Sequence, residues 1–274
     1  TTTPPLLMER MTVAEIRKAL ETTRTVILPI GCTEQHGYHL PTSVDTLNAS
    51  ELAWRISEAT GCMVAPVLPY SFSGGELSGT VNVCPQAVSL FVMEICESLL
   101  LQGFKNIIVL LGHGGTENTQ AIRDAVDMLY RRYPHRKDFA LAIAPFWEMS
   151  DVCRKAFAEK DFHAGWLETS LMLFWRPDLV REERVLDGKP IATMLHNDQD
   201  AYLVSEKPVN AEYVAPRKRQ HPGIKVGVFG EPSKADAAIG ERAVKEILAV
   251  MVRLVRKLDR RAAAKAGPKE CGRQ

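Results

Sequence analysis

The sequence predicts an α/β protein built as a single-domain, mostly parallel sheet flanked by helices. Two observations carry this expectation. Short runs that are apolar throughout recur along the chain: TVILPI (25–30), MVAPVL (63–68), NIIVLL (106–111) and FALAIAP (139–145). Between them lie segments with apolar residues at helical spacing. Strands buried on both faces read as continuous apolar runs, and intervening helices provide the crossovers that parallel pairing needs. No repeat or linker divides the chain, so one domain is expected over residues 1–260, with a polar, Gly/Pro-broken tail at 261–274 expected to be disordered.

Each element has its own signal. VAEIRKALET (13–22) reads as a helix before the first buried strand, and Leu52, Ala53 and Ile56 mark a second helix from about 47 to 60. The long helix 86–104 stops at Gly103, and 117–133 is helical again before the last apolar run. The stretch 177–232 is rich in Pro, Gly and charge, which suits edge strands and long loops. A final helix from Ala235 to about Leu258 carries Ile239, Ala243, Ile247, Leu248, Met251 and Leu254 on one face, enough to cover one side of the sheet.

Composition narrows the function. Lys plus Arg number 34 against 33 Asp plus Glu, a net charge of +1, which gives no electrostatic case for nucleic acid or an anionic membrane. No stretch approaches ~20 uninterrupted apolar residues, so no membrane span is expected. The six cysteines are scattered without a C-x-x-C pair, which suits free thiols in a reducing, cytoplasmic setting. A small polar substrate is the better expectation.

The chemistry-bearing residues follow the strands. In open α/β sheets ligands bind at the carboxyl ends of the strands. VILPI runs straight into GCTEQHG, NIIVLL into GHGGTEN, and FALAIAP delivers Trp147 and Glu148 to the same rim; DFHAGWLETS adds His163 and Glu168. Singly, such a histidine reads as a hydrogen-bonded loop residue, and the glycines as those of any tight turn. Together Glu34, His36, Asp45, His113 and Glu168 bring two imidazoles and three carboxylates to one sheet edge. Zn²⁺ and Mn²⁺ take that donor set, and a cation removes the repulsion between the carboxylates. Phosphate-loop, dinucleotide and nucleophile-elbow spacings are absent. Cys32, flanked by Ile30 and Gly31, reads as a small packing residue rather than a nucleophile.

The runs P-I-G-C-T-E-Q-H-G-Y-H-L-P-T-S-V-D-T, G-H-G-G-T-E-N and H-A-G-W-L-E-T-S, in that order, resemble the creatininase family, as does GVFGEPSKADAAIG before the last helix. The resemblance implies a creatininase-like fold related to the flavodoxin-like class, two divalent ions per subunit (Zn²⁺ and/or Mn²⁺, with Fe²⁺ possible), and a homo-oligomer, commonly a hexamer. It implies that Asp45 bridges the ions, that Glu34 and His113 hold one, and that His36 with a further carboxylate holds the other. Creatininase proper has a glutamate where this chain has Gly115, so the last carboxylate is expected from Glu168, with Glu117 second. His163 matches the family's proton-transferring histidine. His163 and Glu117 are the expected catalytic groups; Trp147, Ser78 and His39 are expected against the substrate, with Trp147 equally readable as a core aromatic. The loop SFSGGELSGT (71–80) lacks the family's F-P-G-T ending, which points away from creatinine itself. The expected activity is metal-dependent hydrolysis of a small cyclic amide or related C–N bond by a metal-activated water. Ring-opening of an oxidised sugar, cyclitol or lactone is the enzymatic alternative, and a metal-dependent binding protein the non-enzymatic one. Residues near 195–220 are expected at a subunit contact close to the metal cleft.

Overall fold

The structure is a computed structural model that describes residues 4–198 and 200–265. A two-residue strand, β1 (Leu6–Leu7), leads into helix α1 (Val13–Ala19). Thr12 and Glu15 close a capping box at the start of α1, satisfying two backbone donors that the first turn leaves free. Strand β2 (Thr25–Ile30), helix α2 (Val44–Thr60) and strand β3 (Met63–Val64) follow, then α3 (Pro85–Leu101), β4 (Asn106–Leu111), α4 (Thr116–Arg132) and β5 (Ala140–Pro145). The five strands form one sheet in the order β1-β3-β2-β4-β5, parallel throughout.

Beyond the sheet come α5 (Asp151–Ala158), α6 (Trp166–Trp175), α7 (Lys189–Asn197), an antiparallel hairpin of β6 (Leu203–Glu206) and β7 (Arg217–Gln220), and α8 (Ala237–Lys265). The alternation of the strands splits the core in two. Ile27 and Ile108 face a cluster with Leu52 and Ile56 of α2, Leu171 of α6 and Ile247 and Met251 of α8. Val26, Leu28, Ile107 and Val109 face the other cluster, with Val92 and Cys96 of α3 and Ile122 and Leu129 of α4. Burying both faces is what makes these strands apolar throughout.

Several expectations change in detail. The second strand, expected over 63–68, stops at Val64, because Pro66 has no N–H to give to the ladder. Beyond the Ala65 amide, which still donates to the Ile27 carbonyl, the chain rejoins β2 through an isolated bridge between Leu68 and Ile30. The irregular stretch 177–232 contains α7 and the β6–β7 hairpin. Helix α8 runs to Lys265, so residues 261–265 of the expected tail are helical; residues 266–274 lie outside the described residues. Helix α5 is not legible in the sequence as a separate element; Ser150 starts it by accepting hydrogen bonds from the amides of Val152 and Cys153. Cys32, Cys62, Cys84, Cys96 and Cys153 are free, and Cys271 lies outside the described residues.

Candidate metal centre

The carboxyl ends of β2 and β4 bring the first polar groups together. After β2 the chain carries Glu34 and His36 into the interior, where they are 8% and 0% exposed. Asp45 enters from the first turn of α2, 1% exposed, and His113 follows β4 by two residues. A close approach makes this possible: a Cβ on Gly112 would lie 2.0 Å from the Asp45 carbonyl oxygen, so only glycine lets β4 end against the start of α2.

Asp45 stands between the two histidines. Its Oδ1 is 3.4 Å from His36 Nε2 and its Oδ2 is 3.1 Å from His113 Nδ1. Glu34 Oε2 is 3.0 Å from the same His113 nitrogen, and Glu168 Oε2 is 3.5 Å from the same His36 nitrogen. The donors therefore fall into two sets that share Asp45: Glu34, Asp45 and His113, and His36, Asp45 and Glu168. Neighbouring groups hold them in place. Ser73 Oγ donates to Glu34 Oε1 at 2.6 Å, and the Ala164 amide donates to Glu168 Oε2 at 2.6 Å. The Glu34 carbonyl lies 3.0 Å from His36 Nδ1; a carbonyl can only accept, so Nδ1 carries a proton and Nε2 is the nitrogen that faces Asp45 and Glu168, itself protonated unless a cation takes its lone pair.

The electrostatics show what this arrangement lacks. Burial alone would push His36 and His113 down, but the surrounding carboxylates outweigh it and hold both well above the ordinary histidine value. Burial would likewise raise Glu34 and Asp45, and the imidazoles hold both below the usual carboxylate range instead. Glu34 Oε2, Asp45 Oδ2, His36 Nε2 and His113 Nε2 are buried without a hydrogen-bond partner. Buried polar atoms are normally satisfied, so unpaired carboxylate and imidazole atoms in one cluster fit a divalent cation. The site has the donor set of a metal centre.

His163 closes the cluster from above. Its ring lies 4.2 Å from that of His36, and its Nδ1 is 3.9 Å from Glu34 Oε2. Its Nε2 is 2.8 Å from the Gln35 carbonyl, which can only accept; Nε2 therefore carries the proton and Nδ1 is the free nitrogen. Gln35 turns its own side-chain amide to the Gly227 carbonyl at 3.0 Å.

A cleft opens over these groups. Its outer wall comes from residues with no site signal in the sequence: Phe157, Phe162, Tyr202, Gln220, Ile224 and Phe229. Burial pushes the Tyr202 hydroxyl up to about 12, and the charges of Glu117, Glu34 and Asp200 add to it, so it stays a phenol. Asp200, Tyr202 and Gln220, from the stretch expected at a subunit contact close to the cleft, are among the residues that line it. Two buried carboxylates fix this wall. Asp161 accepts from the amides of Trp166, Leu167 and Glu231, and Asp187 from those of Lys225, Val226 and Gly227. Their only sequence signal is an aspartate shortly before a helix or a glycine-bearing turn.

Of the residues expected to be catalytic or to meet the substrate, His163 lines the cleft and four do not. Ser78 is exposed in a turn, and Ser73 of the same loop faces inward instead. His39 is fully buried behind the cluster against Thr169 Oγ1 at 2.9 Å, and burial lowers it to about 4. Trp147 packs over Gly114 and against both core clusters, the core reading of that residue. Glu117 is half-buried in the first turn of α4.

A hydrolytic metal centre at the carboxyl edge of a parallel sheet is the class this fold and donor set define. The family model for creatininase, described as creatinine amidohydrolase, matches residues 9–255, and the chain belongs to the creatininase family of hydrolases. It is 32% identical over 182 residues to a creatinine amidohydrolase of Pseudomonas putida, covering 60% of this chain and 69% of that protein. It is 30% identical over 233 residues to a mycofactocin precursor peptide peptidase of Mycolicibacterium smegmatis, covering 81% of each. A 3-dehydro-scyllo-inosose hydrolase of Thermotoga maritima is 26% identical over 279 residues, covering 96% of this chain and 86% of that one. Among solved structures, a mutant creatininase of Zn-Zn type superposes with a TM-score of 0.73 at 25% identity, over 94% of this chain and 99% of that one.

Proposed function

We propose that this chain is a two-metal amidohydrolase that opens a small, uncharged cyclic amide or cleaves a related C–N bond. The placement of Asp45 carries the reading: each of its oxygens faces a different histidine, and each histidine has a second carboxylate beside it. Glu34, Asp45 and His113 would hold one ion and His36, Asp45 and Glu168 the other, Zn²⁺ and Mn²⁺ being the expected occupants. When bound, the ions supply a water acidic enough to be deprotonated near pH 7 and polarise the substrate carbonyl. The chain's own groups do the rest. His163, with Nε2–H held by the Gln35 carbonyl, presents Nδ1 toward the donor set and is placed to pass a proton to the leaving nitrogen. The aromatic residues form one wall over the reacting bond, and the Tyr202 hydroxyl, which donates to the Ser73 carbonyl at 3.4 Å, stays a phenol there.

A second reading has an observation of its own. A Cβ on Gly115 would lie 2.7 Å from His113 Nε2, so this chain cannot carry a side chain at that position with His113 where it stands. The departure from creatininase proper is thus built into the site, and it favours a different substrate, such as an oxidised cyclitol or a lactone. The homo-oligomer, hexameric by family resemblance, and the cytoplasmic setting belong to the same proposal. Among the described residues no helix is long and apolar enough to cross a membrane.

The test is turnover of a panel by the chain loaded with Zn²⁺ or Mn²⁺: creatinine and other cyclic amides, dipeptides, lactones and keto-cyclitols. Metal-dependent cleavage of an amide supports the first reading. Cleavage confined to the lactones or keto-cyclitols replaces it with the second, and a chain that binds no divalent metal refutes both.

A further inference from the structure

Cys32 lies where its residue type matters. It is fully buried, and its sulfur, one Asp45 oxygen and one His113 nitrogen are within 4.8 Å of one another. Its neighbour Thr33 is committed elsewhere, giving its hydroxyl to the Pro69 carbonyl at 2.8 Å. The group that Cys32 joins is short of a cation, since Asp45 Oδ2 and Glu34 Oε2 are buried without hydrogen-bond partners. The Ser71 hydroxyl beside the thiol gives its proton to the Gly31 carbonyl at 2.8 Å.

We propose that Cys32 is a sulfur donor to the ion held by Glu34, Asp45 and His113, which makes that position softer than the one formed by His36, Asp45 and Glu168. The assignment rests on the two-ion reading above. Around one tetrahedral ion, a sulfur at about 2.3 Å and an oxygen or nitrogen at about 2.0 Å sit roughly 3.5 Å apart, well inside the observed limit. Binding replaces the S–H bond by a sulfur–metal bond and releases the thiol proton to solvent. A thiolate favours Zn²⁺ over Mn²⁺, whereas the second position offers only nitrogen and oxygen. The two positions would then fill with different ions from a mixed supply.

Cobalt reports this directly. The metal-free chain titrated with Co²⁺ is expected to develop sulfur-to-cobalt charge-transfer absorption in the near ultraviolet, tied to one of its two ions. Cys32→Ser is expected to lose that absorption and to lower the preference for Zn²⁺ over Mn²⁺ by about 10- to 100-fold, on the scale of groups that tune a metal site. Two bound cobalt ions without the absorption, or an absorption unchanged in Cys32→Ser, would overturn the assignment. Zinc-edge X-ray absorption on the unmutated chain decides the point even if the variant fails to fold: a sulfur neighbour near 2.3 Å is expected, and a shell of nitrogen and oxygen alone refutes it. Failure to bind any metal refutes the two-ion reading itself, whereas two bound ions without sulfur refute only the role of Cys32.

Discussion

Asp45 Oδ2 approaches His113 Nδ1 to 3.1 Å, although the two residues come from different strand-to-helix connections and are both almost fully buried. Without a cation, this contact can be stabilising only while the imidazole is protonated. With a cation, the same atoms become donors to it and the proton must leave.

This sets a pH dependence for the metal-free chain. His36 and His113 are held above the ordinary value, so their contribution to stability is complete below about pH 6.5 and is lost as pH rises through their folded values. Glu34 and Asp45 are held low, so theirs is present above about pH 4 and is lost as pH falls through their folded values. The metal-free chain is expected to melt at a lower temperature at pH 9 than at pH 6, and saturating Zn²⁺ to narrow that difference. A metal-free melting temperature that climbs steadily from pH 6 to pH 9 would contradict the imidazolium–carboxylate pairing.

Asp45→Asn keeps the shape of the side chain and removes the charge that both donor sets share. Elemental analysis is expected to find less than one ion per chain, with the far-ultraviolet circular dichroism unchanged. Retention of two ions would mean that Asp45 does not bridge them.

His163→Asn separates proton transfer from coordination. The variant is expected to keep its metal and lose roughly 10²- to 10⁴-fold in turnover, the usual scale for a general acid–base group. Because His163 also lies within ligand distance of Glu34 and His36, the metal content is decisive: loss of an ion would make it a ligand.

Asp161→Ala tests how the cleft wall is held. The substitution leaves the buried amides of Trp166 and Leu167 and the amide of Glu231 without their acceptor. Each buried donor left unsatisfied costs about 1–3 kcal/mol, so a loss of roughly 2–5 kcal/mol is expected from urea unfolding. A change below about 0.5 kcal/mol, the scale of an ordinary surface substitution, would show that these bonds do not hold the start of α6.

Much of this protein is local and therefore legible in its sequence. Strands β2 and β4 fall on the residues expected for them, because a strand buried on both faces must be apolar at every position. The convergence of Glu34, His36, Asp45 and His113 follows from a topological rule that places the ends of parallel strands at one edge. What only the tertiary structure decided are contacts between segments whose separation no periodicity encodes. Glu168, and not Glu117, lies 3.5 Å from His36, because Asp161 fixes the start of α6 and the Ala164 amide holds the Glu168 carboxylate. Ser73, and not Ser78, reaches Glu34, since a loop's inward face is set by what it packs against. Phe229 lines the cleft next to residues 225–227, which Asp187 ties down through three backbone amides, and Tyr202 reaches it from a separate segment whose carbonyl accepts from the His221 amide; such long-range interactions leave no pattern in the chain.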